Sequence, residues 1–104
     1  MTVTSAFEAI DPVLIPWADR HQFKVDVEYK GYRVRSIAIP DIRNPGHLGQ
    51  SAQLWVEPTA HDPTNPLTVN VAVGRWSSKE RVRLPELERA LDNQLAMLKA
   101  RGDL

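Results

Sequence analysis

Three histidines, His21, His47 and His61, are the first residues to weigh for chemistry, because imidazole is the side chain that titrates near neutrality. No two of them stand three or four positions apart and the chain has no cysteine, so the ligand spacing of a structural zinc site is missing. His21 follows an apolar helical stripe and reads as a helix C-terminal residue, favoured there when protonated. His47 and His61 fall in loops, where functional residues concentrate. With Arg43 and Asp62 they would make a small-ligand site if loops 40–50 and 57–66 converge. The Gly46-His47-Leu48-Gly49 turn lacks the lysine and serine of a phosphate loop and leads into a strand, not a helix. Ser77-Ser78 lacks the glycine frame of a nucleophile elbow and reads as a turn, or as a helix cap with Glu80. Glu86, Glu88 and Asp92 lie beside Arg89 and read as a solvated helix face. The residues therefore assign no catalytic group, no metal and no cofactor, and the chain is expected to be non-enzymatic.

Basic and aromatic residues offer more. Arg75, Trp76, Lys79, Arg81 and Arg83 combine cations with an indole. That composition suits a surface that holds phosphates and stacks on bases, or one that receives an acidic protein. It equally suits an edge strand kept soluble by charge. Trp55 is the second candidate. By alternation it falls on the polar face of its strand, opposite Ala52, Leu54 and Val56. Tryptophan there is a binding anchor, unless a loop folds over it or the strand phase is shifted by one residue.

Composition bounds the possibilities. At 104 residues, 42% apolar and 25% charged, the chain fits one globular domain with a small core. Its formal charge is zero, so no global field draws in nucleic acid or membrane. No apolar run approaches the roughly 20 residues of a membrane helix, and no signal segment is visible. The lack of cysteine fits a reducing cytoplasm. Charge is nevertheless segregated: residues 1–28 are net −3, while 29–43 and 75–83 are each net +3.

The elements that must position these groups follow from periodicity. Phe7, Ile10, Leu14, Trp17 and His21 recur at helical steps, with Pro12 and Pro16 on the opposite face. This predicts one bent helix, or two short ones meeting near Ile15. Phe23, Val25, Val27 and Tyr29 alternate with Lys24, Asp26 and Glu28, and Lys30-Gly31 follows as a turn. The implied hairpin, Phe23 to Ser36, sets Tyr29 against Tyr32, Val27 against Val34, and Val25 against Ser36. Its other face pairs Glu28 with Arg33 and Asp26 with Arg35. Beyond Ser36 the apolar phase moves to Ile37 and Ile39, implying a bulge or a change of environment.

Ala52 to Glu57 and Leu67 to Val73 alternate as a third and a fourth strand, and Arg81 to Leu84 suggests a short fifth or an extended lead-in to the last helix. A final helix starts near Pro85 with a stripe of Leu84, Leu87, Leu91, Leu95 and Leu98. The expected fold is α+β: an antiparallel meander of four to five strands, with an N-terminal and a C-terminal helix packed on one face. The build is like that of small adaptor, chaperone and immunity proteins, an analogy of architecture that does not fix function. The leading expectation is a protein–protein interaction domain with a protein partner, or a homodimer, using Trp55 and the segment Arg75 to Arg83. A nucleic-acid module on that segment and a small-ligand site in the two loops are the alternatives.

Overall fold

A computed structural model of the chain describes residues 3–39, 52–59 and 64–101. The expected loop 40–50, with Arg43 and His47, and His61 and Asp62 of the second loop lie outside the described residues.

The N-terminal helix runs unbroken over Val3–Arg20 and keeps both prolines inside it. Ile10, Leu14 and Trp17 are fully buried, while Pro12 and Pro16 face solvent. The prolines remove backbone donors from the wet side only, so burial of the stripe holds the helix together. Its end is a Schellman motif. The N–H of Phe23 donates to the carbonyl of Ala18 (2.8 Å) and that of Gln22 to Asp19 (3.1 Å). Gln22 takes the left-handed position, φ 60°, that glycine normally fills. His21 stacks between Trp17 and Phe23, with ring centroids 4.7 and 5.5 Å away.

Five antiparallel strands form one open sheet in sequence order: β1 (Val25–Asp26), β2 (Arg35–Ile39), β3 (Ala52–Pro58), β4 (Leu67–Val73) and β5 (Trp76–Val82). After a 3-10 turn, Leu84–Glu86, the C-terminal helix spans Leu87–Ala100. Leu87, Leu91, Leu95 and Leu98 are buried as expected, whereas Leu84 is 37% exposed because it precedes the helix. Both helices cover one face of the sheet, meeting Ile37, Ile39, Leu54, Val56, Val69 and Val71 in a single core. Trp17 ties the helices together, its Nε1 donating to Asp92 Oδ1 at 2.8 Å, and Arg20 pairs with Glu88 beside it.

The expected hairpin is corrected. Val25 pairs with Ile37 and Asp26 with Ser36, one residue away from the register that complementary charges suggest. Tyr29–Tyr32 is a tight turn, not a strand end, and Lys30, Gly31 and Tyr32 have left-handed φ of 52°, 66° and 68°. Left-handed backbone at Gly31 is what a turn there requires. Three such residues in succession, two of them bulky, are uncommon. Magnitudes explain the shift. The observed register puts Ile37 and Ile39, both 0% exposed, in the core. Each is worth roughly 1.5–3 kcal/mol on burial. The two surface ion pairs of the alternative would contribute about 0.2–1 kcal/mol each.

The fifth strand is longer than Arg81 to Leu84 suggests, and Ser77-Ser78 lies within it, in neither a turn nor a cap. Its core-side positions are Trp76, Ser78, Glu80 and Val82, a set with little apolar signal. They are tolerated because β5 is the sheet edge, where Glu80 meets Arg89 of the C-terminal helix at 3.0 Å.

Candidate functional site

Strand register decides which side chains share the uncovered face. Gln53, Trp55 and Glu57 of β3 point away from the core, because Ala52, Leu54 and Val56 point into it. Trp55 therefore lies where alternation places it. Directly across, Trp55 meets Ser36 on β2 and Asn70 on β4, and Asn70 in turn meets Lys79 on β5. A parallel row runs Glu57, Thr68, Arg81. The open face thus carries an indole at its centre with Glu57 on the same strand, Lys79 and Arg81 along the β5 edge, and Asp26 at the β1 edge.

The six basic and aromatic candidates separate. Trp55, Lys79 and Arg81 come together on the open face. Trp76 belongs to the helix side, paired with Val73, and its ring lies 4.1 Å from the Arg101 guanidinium. Arg75 occupies the β4–β5 turn after Gly74, whose φ is 58°. Arg83 turns to the 3-10 turn before the C-terminal helix, where its Nε donates to Glu86 Oε1 at 3.1 Å. Glu86 also receives Arg89 at 3.6 Å. The hydrogen bond from Arg83 holds the Glu86 carboxyl below the usual carboxylate range, with the charges of Arg83 and Arg89 adding to it.

The turn at Tyr29–Tyr32 leans over this face. Tyr29, Lys30 and Val34 join Trp55, Glu57 and Asn70 around a recess of about 230 Å³. Trp55 is half-buried there. Asn70 Oδ1 is buried in this region without a hydrogen-bond partner. Next to it a shallow trough of about 680 Å³ runs along β1 past Asp26, Ser36 and Gln53. Its floor is fixed by the Gln53 Nε2 donation to Ser36 Oγ at 2.7 Å.

Arg35 is the residue whose place periodicity could not supply. It lies on the core side of β2, 8% exposed, with its guanidinium 3.8 Å from the Phe7 ring. Its Nε and one terminal nitrogen donate to the two oxygens of Asp11 at 2.9 and 3.1 Å, and the other terminal nitrogen donates to the Val27 carbonyl at 3.1 Å. Asp26, the partner expected from the hairpin, instead accepts the backbone N–H of Glu28. Arg33 is exposed and forms no cross-strand pair with Glu28.

Among the described residues no group of three or more histidine, cysteine or carboxylate side chains is placed to hold a metal. Nor is any helix among them long and apolar enough to cross a membrane. Comparison of the chain with protein-family models, curated proteins and solved structures finds no match. The functional reading therefore stands on these side chains and their geometry.

Proposed function

We propose that the chain is a small protein–protein interaction domain whose contact surface is the open face of the sheet. The observation that carries this reading is the convergence of Trp55, Lys79 and Arg81 on one uncovered face, although they lie on two different strands. A half-buried indole is a rigid anchor that orders at low entropic cost on binding, and tryptophan and arginine dominate interface hot spots. Lys79 and Arg81 have no acidic side chain directly across the strand, since they oppose Asn70 and Thr68. They are matched to a partner presenting carboxylates, which would pair with them while an apolar group covers Trp55.

The reading of Arg75 to Arg83 as a nucleic-acid surface gains less support, because Trp76 and Arg83 face away from Lys79 and Arg81. Affinity capture with tagged protein, with and without nuclease, tests the choice. The expected result is a stoichiometric protein that survives nuclease and is lost with Trp55→Ala and with the Lys79→Glu/Arg81→Glu pair. Each interface change should weaken binding by more than about 1 kcal/mol while the fold persists. Retention of the partner by both variants overturns the assignment of the face. Capture of nuclease-sensitive material alone overturns the class.

A further inference from the structure

On the helix side of the sheet, the wet flank of the N-terminal helix and the Tyr29–Tyr32 turn enclose a groove of about 700 Å³. Its walls are Pro12, Ile15, Pro16 and Tyr32, and the Arg35–Asp11 pair lines its base. Ile15 and Tyr32, 37% and 60% exposed, are two of the three large hydrophobic side chains left exposed among the described residues. Tyr32 holds its ring there from a left-handed backbone, a conformation that costs a bulky residue energy and is often kept where a site needs it. An apolar cluster that water covers poorly is one half of a binding site.

The polar half comes from the prolines. In a helix each carbonyl accepts the N–H four residues later. Pro12 has no N–H for the carbonyl of Glu8, and Pro16 none for that of Pro12. Glu8 and Pro12 both line the groove, so the residues whose carbonyls lose their usual helical donor to the two prolines belong to its wall. The Glu8 carboxylate beside them makes no ion pair among the described residues. The cation at the base, Arg35, is already neutralised by the two-pronged contact with Asp11. The groove therefore offers acceptors and negative charge inside apolar walls, and has little to give an anion.

We propose that this groove binds a peptide segment of a protein partner in which an arginine stands between apolar residues. The planar guanidinium supplies several donors at once, matching two backbone carbonyls and a carboxylate. The flanking apolar side chains fill the space between Ile15, the prolines and Tyr32. This site is distinct from the open sheet face, although the Tyr29–Tyr32 turn borders both.

Titration of the 15N-labelled chain with the peptides acetyl-Leu-Arg-Leu-amide and acetyl-Leu-Glu-Leu-amide, followed by NMR, tests the proposal. The arginine peptide should shift resonances of residues 7–16 and 32–35, and bind at least about tenfold more tightly than the glutamate peptide. Glu8→Lys should abolish that preference. Pro12→Ala and Pro16→Ala each restore an N–H partner to an orphan carbonyl. Together they should raise Tm and still weaken the arginine peptide severalfold. Equal binding of both peptides, shifts outside the groove, no shift at millimolar peptide, or undiminished affinity in the proline double variant would each overturn the proposal.

Discussion

Removing Arg35 should destabilise the domain through Asp11, and a double-mutant cycle can say so unambiguously. Arg35→Ala deletes two charge-assisted hydrogen bonds to Asp11, one to the Val27 carbonyl and the packing on Phe7. Breaking a fully buried ion pair on one side costs about 3–5 kcal/mol. Here the Asp11 side chain retains 27% exposure and can recover some solvation, against 10% for Arg35. The cost should therefore fall to about 2–3 kcal/mol, or a Tm loss of roughly 10–15 °C in a domain of this size. Asp11→Ala should cost a similar amount, because it strands the more buried charge on Arg35 but leaves that guanidinium the Val27 carbonyl as a partner. Coupling between the two substitutions should reach about 1–2 kcal/mol, while coupling of Arg35→Ala with Asp26→Ala should stay within about 0.5 kcal/mol. Urea unfolding read by tryptophan fluorescence and by far-ultraviolet circular dichroism supplies the free energies, provided the two probes coincide. A cycle in which Arg35 couples to Asp26 and not to Asp11 would refute the observed register and restore the hairpin that charge complementarity favours.

Two further outcomes follow from single residues. Gln22→Gly places the residue without a Cβ at the left-handed helix cap, and should stabilise the fold by up to about 1 kcal/mol in the same urea assay. Glu86 titrates below the usual carboxylate range because Arg83 donates a hydrogen bond to its charged form. The native state thus favours the ionised carboxylate. The stabilisation this gives is present above the unfolded-state pKa and is lost as pH falls through the lower native value. Arg83→Ala should move the Glu86 titration back upward and remove that part of the acid sensitivity, as carboxyl-carbon NMR would record.

Much of the architecture is legible in the residues. The stripe of Ile10, Leu14 and Trp17, the alternations of Ala52 to Glu57 and Leu67 to Val73, and the leucines of the last helix each carry one dominant period. A buried face imposes that period directly on the sequence. The outward position of Trp55 follows from the same rule. Element ends were harder, as β5 shows: a strand at the sheet edge whose inward residues are Ser78 and Glu80 has no apolar signature to read.

The segment from Phe23 to Ile39 shows where local reading stops. Its residues are compatible with two registers one position apart. Pairwise charge and aromatic matches favour the one not adopted. The choice is made by the helices, which cover the face that receives Ile37 and Ile39 and provide Asp11 and Phe7 to accommodate Arg35 there. The same holds for the candidate sites. Lys79 and Arg81 share a face with Trp55 only through the pairing of β3, β4 and β5, and Tyr32 shares a groove with the prolines only because the turn lies beside the helix. Sequence by itself determined the elements and their buried faces, because periodicity is a property of neighbours along the chain. Tertiary structure alone decided register and the company each surface residue keeps, because those depend on burial against elements distant in sequence.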